Sequence, residues 1–156
     1  MHSTFVHLRV HSEFSLVDGL IRIKPLVARV AELGMPAVGL TEQSNMCSLV
    51  RFYKAAMGAG VKPIIGADIW LDNPEEPAQP TRLTLLARDN TGYRHLTELI
   101  SRGFTEGQQH GKAILQRHWI EEKAQGLIAL SGARMGEIGR ALLAGRDDLA
   151  RQRLRA

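Results

Sequence analysis

One cysteine, Cys47, occurs in the 156-residue sequence, so no disulfide can form within the chain and the framework of a small secreted protein is excluded. A lone thiol becomes a nucleophile only beside a base. The setting NMCSLVRF reads as the opening of a helix packing inward, which predicts a buried, inert Cys47. No run of about 18 apolar residues is present, so no membrane association is expected. A basic start followed by an apolar stretch is also missing, so no signal peptide is expected and a cytoplasmic location follows. Aromatic residues make up only 5%, and Trp70 and Trp119 read as packing residues rather than a base-stacking platform. The glycine-containing stretch MGAGVKPIIG lacks both GxGxxG and a GK[ST] ending, so it predicts a helix terminus and not a phosphate loop.

What is present is ordinary for a globular domain: 44% hydrophobic and 23% charged residues, with a net charge of +4. That charge permits contact with nucleic acid without establishing it. Much of the excess lies in the closing stretch GRDDLARQRLRA, which a solvated helix face explains.

Strand and helix patterns alternate. FVHLRV reads as a strand; LVARVAEL has helical spacing, with Pro25 in its first turn and Gly34 after its end. PAVGLTEQ is a short strand, NMCSLVRFYKAAMGAG a helix, KPIIGADIWL a strand, and DNPEEPAQP a proline-rich surface loop. Beyond the loop come the strand TRLTLLARD, the helix TGYRHLTELISRGF, a helix over ILQRHWIEEKAQ, the strand GLIALSG and the helix MGEIGRALLAG. This order predicts an α/β domain with a largely parallel sheet. Chemistry in such folds gathers at the carboxyl ends of the strands, near His11, Glu42, Gln43 and Asp68.

The stretch HLRVH sets the central question. On a strand His7, Arg9 and His11 share one face, while Val6, Leu8 and Val10 share the other, expected to be buried. Two imidazoles so spaced can converge on a divalent ion. Arginine cannot join them, because its guanidinium is cationic and has no lone pair. Either the face was never a metal site or a ligand there has been replaced. His11, Ser12 and Asp18 suggest a nucleophilic triad by eye, but no nucleophile elbow surrounds the serine, and turn formation explains it better. His95, His110 and His118 lack ligand-spaced partners and read as solvated.

Taken in order, FVHLRVHSEFSLVDG, LGMPAVGLTEQSNM, FYKAAMGAGVKPIIGADIW, LTLLARDNTGYRHL and GLIALSGA resemble the PHP (polymerase and histidinol phosphatase) domain at the N-terminus of bacterial DNA polymerase III alpha subunits. The resemblance runs from about residue 5 to the end. It implies an incomplete TIM-like (βα) barrel of largely parallel strands, with residues 1 to 156 as the N-terminal part of the domain and the polymerase domains absent. Such a piece is expected to be less stable than the whole domain.

Active members of the family hold several metal ions. Their histidine, any residue, histidine motif corresponds here to Arg9 and His11, and their threonine, aspartate, histidine motif to Thr41, Glu42 and Gln43. A typical glutamate is replaced by Asp68, and a histidine that opens the LTLLA strand by Arg82. His7 is a further donor in the same region. The resemblance implies a degenerate pocket made of His7, Arg9, His11, Glu42, Gln43, Asp68 and Arg82, with arginine–carboxylate pairs in place of metals and no catalytic residue in this segment.

These replacements imply a scaffold role. The resemblance implies that the segment binds no cofactor, while the parent carries out Mg-dependent DNA synthesis in chromosome replication. Its partners are the rest of the alpha subunit, the proofreading exonuclease subunit, and DNA through the parent. The alternatives are a metal-dependent phosphoesterase or 3'-5' exonuclease, and a binding module for phosphate or pyrophosphate.

Overall fold

The structure, a computed structural model, describes residues 5–16 and 18–155. Val17, inside the first quoted motif, Ala156, at the end of the arginine-rich tail, and residues 1–4 lie outside the described residues. The chain divides into two compact units, Met1–Ala67 and Asp68–Ala156.

In the first unit, helix α1 (Ile23–Glu32) carries Pro25 in its first turn, where a missing amide hydrogen costs no helical bond. It ends at Gly34, whose φ of 66° lets Gly34 N–H and Met35 N–H return to the carbonyls of Ala31 and Val30. Strand β1 (Ala37–Gln43) is buried along nearly all its length, which explains its unbroken apolar start. Helix α2 (Leu49–Gly58) packs against α1. Val27, Val30, Val38, Leu40, Phe52 and Ala56 form the core between them. Strand β2 (Lys62–Leu71) begins in this unit and pairs with β1.

The expected first strand is only partly realised. His7 and Val38 form an isolated parallel bridge, and Gly39 N–H and Thr41 N–H donate to the carbonyls of His7 and Val10. The segment pairs with β1 yet is not a regular strand. Its inner face also differs from the alternation read in the sequence: Val10 packs on the core, whereas Leu8 is 41% exposed. The backbone of Leu8 runs against Gly39, where a Cβ would stand 2.6 Å from Leu8 O. Main-chain contact thus takes the place of side-chain burial at this point.

The second unit contains β3 (Thr81–Ala87), α3 (Asn90–Thr105), β4 (Gln108–Gln109), β5 (Lys112–Leu115), α4 (Arg117–Glu122), β6 (Leu127–Leu130), α5 (Glu137–Leu143) and α6 (Asp147–Arg155). The strand order is β4-β5-β2-β3-β6. Helix α3 covers β3, β5 and β6 with Leu96 and Leu99 buried beneath it. Asp89 caps α3 by accepting a hydrogen bond from Gly92 N–H at 3.0 Å. Gly92 itself is required by packing, because a Cβ there would lie 1.8 Å from Gly126 O.

Two expectations are corrected here. The sheet is mixed: β2 and β5 are parallel, but β3–β6 and β4–β5 are antiparallel. The β4–β5 pair is a hairpin closed by His110 and Gly111, both at positive φ, as a two-residue turn of matching twist requires. The helix expected over ILQRHWIEEKAQ starts only at Arg117. Ile114 and Leu115 belong to β5, in register with Trp70 and Leu71. A buried apolar run this short carries no period that separates strand from helix.

Candidate functional site

Glu42 lies inside β1 with 1% of its surface exposed. Its carboxylate accepts four hydrogen bonds. Oε2 takes Ser12 N–H at 3.0 Å and Ser15 Oγ at 2.5 Å; Oε1 takes Ser48 Oγ at 2.9 Å and the Ser12 hydroxyl. A carboxylate offers about four lone-pair positions, so this set of donors saturates it. The donors' directions are fixed from behind. Ser12 Oγ accepts Phe14 N–H and Ser15 Oγ accepts Gln43 N–H, which leaves each hydroxyl hydrogen for Glu42. A single 3-10 turn at Glu13–Ser15 places Ser12 and Ser15 together, and Ser48 stands at the entry to α2.

Nearby in sequence, His11 Nδ1 lies 2.7 Å from Asp18 Oδ1, with the imidazole side chain 8% exposed. Ser12 Oγ is committed to Glu42 and Phe14, so the His11, Ser12 and Asp18 grouping is not a nucleophilic triad. Arg9 and His7 are exposed, His7 packing edge-to-face on Phe5 at 4.8 Å. Gln43 Nε2 donates to Ser44 Oγ at 3.2 Å.

In the second unit Asp68 is fully buried on β2. Thr84 Oγ1 donates to its Oδ1, and Arg82 Nε lies 3.8 Å from its Oδ2. The Arg82 side chain is 13% exposed and its guanidinium lies 5.0 Å from the Trp70 ring centroid, with Lys112 Nζ at 5.3 Å from the same ring. Trp70 is thus the aromatic surface for two cations.

The residues singled out in the sequence are therefore brought together unevenly. Asp68 gains the arginine partner expected for it. Glu42 does not; its partners are serine hydroxyls and one amide. Sequence reasoning misses Ser12, Ser15, Ser48 and Thr84 as partners, although the i, i+3 serines of HSEFS, on a turn preceding a buried carboxylate, are a usable signal. His95, expected to be solvated, is half-buried and directs Nδ1 to Gln125 O at 2.9 Å. Cys47, expected to be buried, is exposed. It precedes α2, and the inward positions go instead to Ser48 and Phe52.

As a metal donor set these residues fit poorly. Both Glu42 oxygens are fully engaged by hydroxyl and amide hydrogens, and a guanidinium adjoins Asp68. A divalent ion at either carboxylate would have to displace donors from a buried acceptor or sit beside a fixed positive charge. Among the described residues, no three His, Cys, Asp or Glu side chains gather as a metal-binding group. Nor is any described helix long and apolar enough to cross a membrane.

Comparison with known proteins agrees with the local motifs. The PHP domain model matches residues 7–156. The chain is 63% identical over 155 residues to DNA polymerase III subunit alpha of Pseudomonas aeruginosa, covering 99% of this chain and 13% of that protein. It is 50% identical over 145 residues to the subunit of the same name from Escherichia coli strain K12, covering 93% of this chain and 12% of that one. The chain thus spans about an eighth of the length of these curated relatives. A structure from Bifidobacterium adolescentis, described as a metal-dependent phosphoesterase, shares the fold at a TM-score of 0.50 and 18% identity, over 65% of this chain and 33% of that one. With the model match running over nearly its whole length, the chain belongs to the PHP domain family.

Proposed function

We propose that this chain is a metal-free supporting PHP domain at the N-terminus of a bacterial replicative DNA polymerase III alpha subunit. The observation that carries the reading is the saturation of Glu42 by Ser12, Ser15 and Ser48. Hydrolysis by this kind of site needs ions about 4 Å apart that activate water and stabilise the leaving oxygen. Here a carboxylate at a ligand position is consumed by hydroxyls, and Asp68 by Thr84 and Arg82. What these contacts do is mechanical. The Glu42 cluster ties the turn at Glu13–Ser15 and the entry to α2 to β1, and Arg82 compensates a buried charge between adjacent strands. On this reading His7, Arg9, His11, Glu42 and Gln43 in the first unit, and Asp68 and Arg82 in the second, stand at positions of lost metal ligands in a chain of the incomplete TIM-like (βα) barrel type.

On this reading template-directed DNA synthesis, its Mg ions and its contact with DNA belong to the parent polypeptide. The remaining partners are the rest of the alpha subunit and the proofreading exonuclease subunit, and the setting is the cytoplasm. Identity of 63% and 50% to named alpha subunits supports the assignment.

The second reading, a metal-dependent phosphoesterase or 3'-5' exonuclease, is favoured by one contact. A histidine ligand commonly donates its other ring nitrogen to a carboxylate, as His11 does toward Asp18. Elemental analysis of the purified protein, with assays for phosphoester hydrolysis and 3'-5' nuclease activity in added manganese or zinc, separates the two. The scaffold reading expects substoichiometric metal and no metal-dependent turnover. Stoichiometric metal with turnover abolished by His11→Ala would overturn it.

A further inference from the structure

The second unit contains a cleft of about 420 Å³ among the 72–80 loop, α4, α5 and α6, and Asp68 is not among the residues that line it. Arg117, Arg140, Arg146 and Arg153 all line it. Glu75 binds Arg146 and Arg153 at 3.1 and 3.3 Å, while Glu137 binds Arg117 and also lies 3.6 Å from Arg153. Two carboxylates therefore serve three guanidinium groups. Arg140 has a different role: its two terminal nitrogens donate to the carbonyls of Gln79 and Pro80 at 3.1 Å each, contacts that orient the group without neutralising it.

With Asp72 and Glu76 the lining holds four carboxylates against four guanidinium groups and is formally neutral, so what sets Arg140 apart is its local pairing: its contacts are to carbonyls and not to a carboxylate. Asp72 Oδ1 accepts the backbone N–H of Arg117, and Glu76 is an exposed loop residue. An independent observation comes from Thr81, which lines the same cleft beside Pro80. It is 3% exposed, and its hydroxyl has no hydrogen-bond partner. A buried hydroxyl without a partner is costly, and an oxygen of a bound anion would satisfy it by accepting its hydrogen.

We infer that this cleft is a binding site for a phosphate group, with Arg140 and Arg153 as its charged donors and Thr81 as its neutral one. Planar guanidinium donors held from behind by carbonyls and carboxylates suit a tetrahedral oxyanion. The volume leaves room for more than the anion, so the phosphate is either free or carried by a small ester such as a nucleotide. The site shares no residue with the Glu42 cluster and does not depend on whether that residue ever held metal.

The test is calorimetric titration of the purified protein with inorganic phosphate, a nucleoside 5'-monophosphate and a short oligonucleotide lacking terminal phosphates, at ionic strength matched with chloride. Saturable binding of inorganic phosphate is expected, and tighter binding of the monophosphate would identify an ester as the preferred form. Arg140→Gln should weaken binding by about tenfold or more, the worth of one charged hydrogen bond. Because Arg140 also braces the 72–80 loop, Thr81→Val supplies a second readout. It should weaken phosphate binding while leaving the melting temperature in phosphate-free buffer unchanged or higher, since it removes an unpartnered hydroxyl. No saturable binding, binding of the oligonucleotide alone, or phosphate affinity untouched by both substitutions would overturn the proposal.

Discussion

Ser48 Oγ donates to Glu42 Oε1 at 2.9 Å, joining the entry of α2 to a carboxylate buried in β1. Glu42→Gln places an amide where four donors converge, so donor faces donor and at least one hydroxyl loses its acceptor. The expected cost is about 3 kcal/mol, since an unsatisfied buried group costs about 1–3 kcal/mol and a charged one more. Ser48→Ala removes a single donor and should cost about 1 kcal/mol. Urea unfolding monitored by circular dichroism measures both; a Glu42→Gln midpoint equal to that of the unsubstituted protein would refute the role given to the cluster.

Arg82 stands 3.8 Å from Asp68, which has no exposed surface. Arg82→Ala takes that guanidinium away from the buried carboxylate and should cost about 3 kcal/mol. The double substitution Arg82→Ala with Asp68→Ala should cost less than the sum of the two singles, because the groups are coupled. Strict additivity in this cycle would mean that the pair does not interact.

Much of this arrangement is legible in the sequence, for identifiable reasons. Helices α1 and α3 have long amphipathic patterns, capping signals and closing glycines or polar ends, so local chemistry and packing agree. The arginine partner of Asp68 can be anticipated because the resemblance read in the sequence sets both residues at ligand positions, where a buried carboxylate left without metal calls for a cation. The partners of Glu42 are not legible, since Ser12, Ser15 and Ser48 carry no periodic signal and converge only in the fold. The hairpin at His110-Gly111 is hidden for another reason: β4 is two residues long, too short for alternation to show. Cys47 is misplaced because its apolar neighbours suggest a helix face, whereas the helix begins two residues later, at Leu49.

That exposure of Cys47 gives a direct check. An exposed thiol should react with a disulfide reagent in the native state, at a rate changed little by denaturant. Reaction only after unfolding would restore the buried reading.

Gly92 and Gly126 set the approach of α3 to the chain that leads into β6. Gly92→Ala introduces a Cβ against Gly126 O and should cost about 1–3 kcal/mol, the usual range for overpacking. No loss of stability, or a small gain from helix propensity, would show that the helix can retreat freely.

Stability should fall in acid partly through α3. The Asp89 carboxyl is held below its ordinary value, mainly by the Gly92 N–H it accepts at the helix cap and secondarily by Arg88. Glu98 is lowered chiefly by its bond to Lys123 at 2.5 Å. Both folded values lie below the unfolded ones, so the stabilisation is present above the unfolded value and is lost as pH falls through the folded value. Asp89→Asn retains a capping oxygen but cannot titrate, so it should flatten the acid limb of the stability profile. Parallel profiles for the two proteins would rule out this contribution.

Whether hydroxyl donors hold Glu42 in place of metal ions can be seen in a crystal of the protein grown or soaked in manganese and measured for anomalous scattering at the manganese edge. Ser12, Ser15 and Ser48 should surround Glu42, with no anomalous peak beside it. A well-occupied manganese bound to Glu42, with the serine hydroxyls displaced, would show instead that this carboxylate is a working metal ligand.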